Sequence, residues 1–484
     1  MYPGISALAI SPRDNNVIWA GSDDGLVHVT TDDGDSWQDV NPPDLPAHSW
    51  INSIQASYAA AGSAYLAARR YMWDDFKPYV YKTDDYGKHW TSIIDGLEDD
   101  TYIFDLRQDP NDPDLLLLGT KKGIEVSFDA GTHWQPLSLN LPPVQVRDIA
   151  FNTRQDQVAI ATHGRSFWVL DNLSVLEQLT KNPSMDSHGP SLFAPQTAWL
   201  SHAYGGGNPD FMPADSGQNP PFGATVFFHI PSNYNGKTPV KLQFLDSQGQ
   251  LVRSFDLHLK NKQAKQPTPE EESARTPEQQ KRDAEEKLTA IEPGMNSFQW
   301  NLRYPDATEV KGFYPPVAAG GLDDTVDGPL VVPGNYSVEL DYGGSQTKQN
   351  FDVALDPRVH TTADDLAARL ALQLKIHADL DALNKKLNQA IAVRDKLVSS
   401  GQQSAAADLD RIIGDLVQLQ VHSSEGTLLH EAKLRSHLAY LAADIDLAYA
   451  RPTAAEYSVF QQLDQEEKAG EQKLDAAIAA ASSR

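Results

Sequence analysis

The sequence contains no cysteine, which excludes disulfide bonds, thiolate catalysis and cysteine-ligated zinc or iron–sulfur sites. Basic residues are also scarce, since 40 lysines and arginines stand against 66 aspartates and glutamates, for a net charge of −26. Because nucleic-acid binding needs clustered positive charge to neutralise phosphates, we expect no nucleic-acid partner. No apolar run approaches the roughly 20 residues of a membrane-spanning helix, so we expect no membrane insertion.

Motifs for metal and nucleotide chemistry are missing as well. The 14 histidines are scattered, with no His-x-x-x-His or His-Glu-x-x-His arrangement, and no stretch matches the EF-hand frame. The sequence also lacks a Gly-x-Ser-x-Gly elbow and a phosphate-binding loop. We therefore expect no metal and no cofactor.

The amino-terminal residues do not indicate a targeting segment. They carry no basic region, no long apolar stretch and no small-residue cleavage site, and a strand-like run begins at Ile5. We therefore expect no signal peptide in this chain. Localisation stays open, and would be periplasmic or extracellular if a further segment precedes Met1.

A short frame, Ser/Thr-x-Asp-x-Gly-x-x-Trp, occurs three times at spacings of 53 and 44 residues. Its residues are Thr30, Asp32, Gly34 and Trp37, then Thr83, Asp85, Gly87 and Trp90, then Ser127, Asp129, Gly131 and Trp134. In such a frame the aspartate accepts backbone N–H bonds across a tight turn, and glycine supplies a positive φ. The tryptophan is expected to pack the hairpin against its neighbour.

This frame is the Asp-box, and its three copies resemble the bacterial neuraminidase (BNR) repeats of sialidase-like and sortilin-like β-propellers. The segments 76–82 and 161–171 are similar to a family of large exported bacterial proteins with sortilin-type or YVTN-like propellers, often labelled glycosyl hydrolases. The resemblance implies one four-stranded blade for each unit of about 44 residues. In that family further propeller precedes the part matched here, and the boxes lie on outer hairpins, so they indicate fold rather than activity.

The predicted fold class is mainly β with an α-helical carboxy-terminal part. Residues 1–175 are predicted to form a partial propeller of about four blade units, the fourth having strands but no box. Residues 186–357 are predicted to form a β-sandwich, because short strands alternate with turns. Its Gly-x-Asn-x-x-x-Trp pattern at 294–300 and Pro-Gly-x-Tyr at 333–336 resemble the immunoglobulin-like domain of flagellar hook-capping proteins.

Two further segments complete the predicted organisation. Residues 260–290 hold almost no apolar side chain, so we expect a mobile loop there, with a helix from Pro277 to Leu288. Residues 361–484 are predicted to form a helical hairpin or small coiled-coil-like bundle, because leucines recur at three- and four-residue steps. The pair Thr362 and Asp365 predicts a capped start for the first helix.

Candidate site residues lie on the innermost strands, which face the channel of a propeller. Asp105 and Asp148 are the trial carboxylates for glycoside hydrolysis, a reaction that needs one protonated and one ionised carboxyl group. Arg107, Arg147 and Arg165 are the trial ligand-binding residues. The alternative interpretation is that the aspartates and their neighbouring arginines form ion pairs between blades.

The leading functional hypothesis is a non-catalytic, extracytoplasmic binding or scaffold protein whose propeller face holds a protein, a peptide or a glycan. The first alternative is a propeller-type glycoside hydrolase, sialidase-like or glucanase-like. The second is a structural module whose helical part forms oligomers. An open edge at the first blade also predicts pairing with missing propeller blades or with another copy.

Overall fold

The computed structural model describes residues 4–181, 189–201, 221–261, 268, 277–314, 324, 326–421 and 430–482. The chain divides into two compact units, Met1–Ser187 and His188–Arg484. Each unit is described by itself. The predicted fold class is confirmed, since the chain is mainly β-sheet and its carboxy-terminal part is helical.

The first unit consists of short antiparallel strands joined by tight turns. Its strands are β1 (Ile5–Ile10), β2 (Ile18–Ser22), β3 (Val27–Thr30), β4 (Gln38–Asp39), β5 (Trp50–Ala56), β6 (Ala64–Arg70), β7 (Asp75–Thr83), β8 (Thr91–Ser92), β9 (Ile103–Gln108), β10 (Leu116–Thr120), β11 (Ile124–Ser127), β12 (Gln135–Pro136), β13 (Val146–Asn152), β14 (Gln157–Thr162) and β15 (Phe167–Asp171). A 3₁₀ turn, Tyr71–Trp73, lies between β6 and β7.

These strands form four successive sheets, which we call blades 1 to 4: β1–β4, β5–β8, β9–β12 and β13–β15. Within each blade every strand pairs with the next one along the chain. The first strands of neighbouring blades contact one another, β1 with β5, β5 with β9 and β9 with β13. Meander sheets that meet along their first strands are the arrangement of a β-propeller.

Apolar side chains fill the space between each pair of neighbouring blades. Trp19 of blade 1 and Ile51 of blade 2 share one buried cluster, and Tyr65 of blade 2 and Leu106 of blade 3 share another. A third cluster joins blades 3 and 4. Burying these faces at roughly 25 cal/mol per Å² of apolar surface is what holds consecutive blades together.

Blade 4 differs from the others because a helix, α1 (Leu173–Thr180), follows its third strand. Leu173 and Leu176 are buried in the cluster shared by blades 3 and 4. The Ser174 backbone N–H and hydroxyl donate to the Asp156 carboxylate at 2.6 and 2.7 Å. The sequence predicted the strands of this blade but not the helix.

The second unit contains two sheets packed around a shared core. Its strands are β16 (Ser191–Leu192), β17 (Ala198–Leu200), β18 (Ala224–Ile230), β19 (Val240–Leu245), β20 (Leu251–Leu259), β21 (Ala290–Ile291), β22 (Gly294–Trp300), β23 (Gly334–Tyr342) and β24 (Ser345–Leu355). One sheet has the order β16-β18-β22, and the other β17-β24-β23-β19-β20-β21. In the core, Phe244 stacks on Trp300 at 4.3 Å between ring centroids.

The same unit contains five described helices: α2 (Pro277–Thr289), α3 (Ala363–Ser399), α4 (Gln403–Leu416), α5 (Leu434–Asp446) and α6 (Ala454–Ser482). Helix α3 begins with a capping box formed by Thr362 and Asp365, as predicted. Of the predicted mobile loop, residues 262–267 and 269–276 lie outside the described residues. In the described part of the chain, no helix is both long enough and apolar enough to cross a bilayer.

The sandwich and the helices of the second unit share contacts. Asp446, at the end of α5, pairs with Arg303 at 2.5 Å and with Arg369 of α3 at 2.6 Å. Leu366 and Tyr449 from the helical part join the sandwich core. The division of this region into a sandwich at 186–357 and a bundle at 361–484 stays a prediction.

Candidate binding site at the ends of the inner strands

The inner strand of every blade carries a β-bulge at the same place. In β5 the pairing shifts between Ile51 and Ser53, and equivalent shifts occur in the other three inner strands. The residues that follow the four bulges are Ala7, Ser53, Asp105 and Asp148. Because a bulge redirects the side chain after it, the residue at this position determines which chemical group each blade presents to the neighbouring blades.

Asp105 ties together three blades. Its carboxylate accepts hydrogen bonds from the Ser53 hydroxyl at 2.8 Å and from the backbone N–H of Ile149 at 3.0 Å. Arg107 of the same strand lies 2.9 Å from it, and its second terminal nitrogen lies 3.4 Å from Asp148. The two predicted carboxylates and Arg107 are therefore close together, in a network that spans blades 2, 3 and 4.

The two aspartates of this network have different environments. The Asp105 side chain is 5% exposed and that of Asp148 is 66% exposed. Burial raises the pKa of Asp105 to about 7, against the lowering effect of Arg107 and Ser53. Asp105 is thus a buried, fully hydrogen-bonded group near its titration point at neutral pH, whereas Asp148 is open to solvent.

The other two predicted arginines lie elsewhere. Arg147 donates to the side-chain carbonyl of Gln145 at 2.8 Å, and its guanidinium lies 3.9 Å from the Phe104 ring centroid. Arg165 is exposed in the turn between β14 and β15, where its backbone N–H donates to the Thr162 hydroxyl at 3.1 Å. The structure places Arg147 in a second cluster that the sequence analysis did not predict.

This second cluster, which we call the cation–aromatic cluster, consists of Trp50, Arg69, Tyr71, Tyr102, Phe104 and Arg147. It lies where β5, β9 and β13 begin and β6 ends. The Arg69 guanidinium is 4.9 Å from the Trp50 ring centroid, 5.4 Å from that of Tyr71 and 5.3 Å from that of Phe104. Arg69 and Arg147 therefore share the Phe104 ring, and each such cation–π contact contributes about 0.5–1 kcal/mol or more when desolvated.

The two guanidinium groups of this cluster have no carboxylate partner within the described residues. The Nε atoms of both Arg69 and Arg147 are buried without a hydrogen-bond acceptor. Burial, with a smaller contribution from the nearby Arg147, lowers the pKa of Arg69. By contrast, Lys121 beside the cluster pairs with Asp100 at 2.6 Å. The cluster thus holds two positive charges that nothing described in the protein neutralises.

An exposed apolar rim adjoins the cluster. The 3₁₀ turn that carries Tyr71 also carries Met72 and Trp73, whose exposed fractions are 58% and 62%. Phe76 follows on β7 and lies 6.0 Å from Tyr102 between ring centroids. The sequence signal for this region was the density of arginine and aromatic residues from 69 to 76. Tyr102 and Phe104 come from another blade, so no local spacing linked them to it.

The three repeat turns have one hydrogen-bonding pattern. In each, the Ser or Thr hydroxyl accepts from the glycine N–H, and the aspartate accepts from the backbone N–H four residues later. The glycines have φ values of 98°, 79° and 90° at residues 34, 87 and 131, which favour glycine over other residues. The turns are thereby closed by contacts within eight residues.

Two repeat tryptophans link one blade to the preceding one, and the third does not. The Trp90 indole N–H donates to the Val40 carbonyl at 2.7 Å, and that of Trp134 donates to the Ile93 carbonyl at 2.8 Å. Trp37 of blade 1 is 44% exposed, and no described residue accepts its indole N–H. The difference follows from position, since no described blade precedes blade 1.

The repeat aspartates are strongly acidic. Hydrogen bonds from Ser36 and Thr30 lower the pKa of Asp32 to about 2, and those from His89 and Thr83 do the same for Asp85. His89 and His133 each contact the aspartate of their own turn, at 2.5 and 2.6 Å. Among the residues that the structure describes, no group of three or more histidines and carboxylates is arranged to hold a metal ion.

Comparisons with known proteins give distant likenesses. No family profile matches the sequence, and a search of curated proteins gave no match. YCF48 from Cyanidioschyzon merolae is similar at 16% identity and a TM-score of 0.26, over 34% of this chain and 52% of its own. A GH74 xyloglucanase from Xanthomonas campestris is similar at 14% identity and a TM-score of 0.28, over 35% of this chain and 30% of its own.

A GH74 enzyme from Niastella koreensis is similar at 13% identity and a TM-score of 0.29, over 35% of this chain and 29% of its own. The chain therefore spans about half or less of the length of these three proteins. Likenesses this distant carry no argument about function. The assignment of the first unit to the β-propeller architecture rests on its own strand pairing.

Proposed function

We propose that this chain is a non-catalytic binding protein whose cation–aromatic cluster holds a peptide or protein segment with an acidic group beside an apolar one. The observation that carries this proposal is the pair of guanidinium groups, Arg69 and Arg147, on one Phe104 ring without a carboxylate partner in the described chain. In a chain of net charge −26, two adjacent unneutralised cations are unusual.

The chemistry of the cluster matches an acidic ligand. A carboxylate is the natural partner of a guanidinium, because it accepts two parallel hydrogen bonds from it. The exposed Met72, Trp73 and Phe76 would then contact an apolar side chain next to that carboxylate. Aromatic residues, methionine and arginine are the side chains enriched at protein interfaces.

The state of Asp105 supports binding rather than hydrolysis. Glycoside hydrolysis needs two carboxyl groups that both reach the scissile bond. The Asp105 oxygens are already occupied by Ser53, Arg107 and the Ile149 backbone N–H, and the side chain is buried. This arrangement is what ion pairing between blades requires.

The proposal is tested with an array of short peptides in which Asp or Glu stands next to Phe, Leu or Trp, each paired with its Asn or Gln counterpart. We expect the acidic peptides to bind and their amide counterparts to bind at least tenfold more weakly. The double substitution Arg69→Gln with Arg147→Gln should abolish the difference. Arg154→Gln, at an exposed arginine of blade 4, is the matched control and should retain it.

Equal binding by the double variant and the unaltered protein would disprove this function. Selective binding of neutral glycans through the aromatic rim, with no response to peptides, would also disprove the acidic-peptide assignment. Asp148→Ala should leave peptide binding unchanged, since Asp148 pairs with Arg107 and not with the cluster.

A glycoside hydrolase is the second candidate, because Asp105 and Asp148 provide one carboxyl group near its titration point and one in solvent. It predicts turnover of polysaccharides or sialosides that disappears in Asp105→Asn and in Asp148→Asn. If no substrate in the panel were turned over and acidic peptides were bound, the hydrolase candidate would be rejected and the binding function retained.

A further inference from the structure

The sequence contains one asparagine that is followed by glycine, in the pair Asn235 and Gly236. The pair lies between β18 and β19, in the connection that carries the chain from one sheet of the second unit to the other. Both residues are exposed. Asparagine before glycine is the pair most prone to lose its side-chain amide, because glycine has no Cβ to shield its backbone nitrogen from the neighbouring carboxamide.

The turn holds the Asn235 carboxamide against the peptide group of Gly236. The Lys237 backbone N–H donates to Oδ1 of Asn235 at 3.2 Å. This hydrogen bond closes an Asx turn, a ring of atoms that contains the Gly236 peptide group. Gly236 has a φ of 82°, a conformation that favours glycine over other residues. The local fold therefore brings the side-chain carbonyl of Asn235 and the next backbone nitrogen together.

The same hydrogen bond has a chemical consequence. It polarises the Asn235 carbonyl, and it stabilises negative charge on Oδ1 when a nucleophile adds to Cγ, as an oxyanion-hole donor does. In the part of the chain that the structure describes, the Gly236 backbone N–H donates to no acceptor. The electrophile is thus activated, and the nitrogen that would attack it is not engaged elsewhere.

The asparagines that precede serine, Asn52 and Asn296, are held differently. The Asn52 Nδ2 donates to the Phe104 carbonyl at 2.6 Å, and that of Asn296 donates to the Glu292 carbonyl at 2.7 Å. Both asparagines lie within strands, β5 and β22. A strand directs its side chains out of the plane of the sheet, so neither carboxamide is held against the next peptide group.

We propose that Asn235 is a site of spontaneous deamidation. The Gly236 backbone nitrogen attacks Cγ of Asn235 and a C–N bond forms. The side-chain nitrogen leaves as ammonia, with the proton that the backbone nitrogen gives up, and a cyclic imide remains. Water then opens the imide. Attack at the side-chain carbonyl gives aspartate, and attack at the main-chain carbonyl gives isoaspartate, in which the main chain runs through Cγ.

The products alter a closely packed turn. Deamidation adds a negative charge beside Lys237, and isoaspartate lengthens the main chain by a methylene group. Tyr234 is buried and lies 6.0 Å from Tyr342 between ring centroids. A Cβ at Gly236 would lie 3.1 Å from the Leu259 Cβ, so the backbone there has little room to move. We therefore expect isoaspartate to lower the stability of the second unit.

The test is incubation of the full chain at pH 8, followed by peptide mapping with mass spectrometry. We expect residue 235 to gain the mass that separates an acid from an amide, and residues 52 and 296 to keep their amides. The rate should be several-fold higher at pH 8 than at pH 6, because the attacking backbone nitrogen must lose its proton. A synthetic peptide of residues 231–239 gives the rate without the fold, and the folded chain should react at least as fast.

Three variants separate the contributions. Gly236→Ala should slow the conversion several-fold, because a Cβ shields the backbone nitrogen. Asn235→Gln should not convert, since its longer side chain closes a larger ring, and it should keep its melting temperature after incubation while the unaltered chain loses stability. Lys237→Ala is the matched control, because it retains the backbone N–H and removes only the ammonium group, so the rate should stay the same.

Two results would overturn the assignment of this site. One is conversion of the free peptide while the folded chain keeps its amide, which would show that the fold protects Asn235. The other is equal conversion at residues 52 and 296, which would show that the turn has no role. An unchanged melting temperature in a fully converted sample would refute the effect on the second unit.

Discussion

At the scale of single residues, the aspartates of the first unit show how strongly local contacts set acidity. Hydrogen bonds in an exposed turn hold the pKa of Asp32 at about 2, whereas burial between blades raises that of Asp105 to about 7. The first kind of aspartate contributes stability that is present above pH 4 and is lost as the pH falls towards 2. The second kind contributes stability at low pH, and this contribution is lost as the pH rises.

Asp105 should make the first unit less stable as the pH rises from about 4 to about 7. In this window the unfolded chain has released the proton that the folded protein retains, so the free energy of unfolding falls. Asp105→Asn removes this dependence, and the variant should gain stability relative to the unaltered protein between pH 5 and pH 8. Urea denaturation at pH 5 and at pH 8 measures the free energy of unfolding of both proteins. Asp99→Asn, at an exposed position, is the control. If the free energies of unfolding of Asp105→Asn and of the unaltered protein differed by the same amount at both pH values, the raised pKa of Asp105 would be contradicted.

The repeat tryptophans offer an internally matched comparison. Trp134 is buried and donates to Ile93, whereas Trp37 is exposed and has no described acceptor. Trp134→Phe leaves the Ile93 carbonyl unpaired, and we expect a loss of about 1–2 kcal/mol in the free energy of unfolding. Trp37→Phe should change it by less than about 0.5 kcal/mol. Equal losses would show that the indole hydrogen bond does not link the blades.

At the scale of elements, the helices α3 and α6 meet through carboxyl groups as well as leucines. Glu467 of α6 is buried to 3% exposure, and burial, with Glu471 and Asp379 nearby, raises its pKa to about 7. Burial also raises the pKa of Asp379 on α3 to about 6. Lys468 pairs with Asp464 at 2.5 Å. The contact between these helices is therefore most stable when the buried carboxyl groups are protonated.

Replacing Glu467 by Gln should make the helical part more stable at pH 8 and leave it nearly unchanged at pH 5. The reason is that the ionised form is disfavoured in the folded state, so stability falls as the pH rises from about 4.5 to about 7. Thermal melting followed by circular dichroism at 222 nm at both pH values measures the effect. Glu466→Gln, on an exposed neighbour, should show no such pH difference. A larger gain at pH 5 than at pH 8 would refute the prediction.

The elements also show which parts of the fold could be predicted from sequence. The capping box at Thr362 and the repeat turns depend on contacts within eight residues, so their patterns are visible in the chain. Helix α1 was missed because it is held by contacts with Asp156, 18 residues away, and with the core of two blades.

The cation–aromatic cluster was missed for a related reason. Its residues come from three blades and from positions 50 to 147, so only the assembled propeller brings them together. The trial residues on the inner strands were easier to find, because polar side chains stand out in apolar strands. The sequence could not say that Arg107 pairs with both aspartates while Arg147 faces Phe104.

At the scale of the whole molecule, the chain consists of two compact units. The second unit joins sandwich and helices through Asp446, which bonds Arg303, Arg369 and Gln373. Burial acts to raise the pKa of Asp446, but Arg303 and Arg369 outweigh it and lower the pKa. A charge held in this way connects parts of the chain that the sequence analysis assigned to separate domains.

Asp446→Asn should destabilise the second unit by about 3 kcal/mol, because it leaves the buried Arg369 without its counter-ion. Differential scanning calorimetry should then show one shifted transition and one unchanged. The unchanged transition should be the one that Trp134→Phe shifts. If the second unit unfolded in two transitions and Asp446→Asn shifted only one of them, sandwich and bundle would be separate domains, as the sequence predicted.

The residues after the four bulges, Ala7, Ser53, Asp105 and Asp148, have a consequence for how a repeat protein folds. Similar blades can exchange places during folding, and misassembly of repeats is a common failure of such chains. In the observed order, Asp105 accepts from the Ser53 hydroxyl of the preceding blade and from the Ile149 backbone N–H of the following blade. A blade in the wrong place would leave a buried carboxylate without partners. The position after the bulge of blade 3 thus favours the observed neighbours of that blade over other pairings of blades.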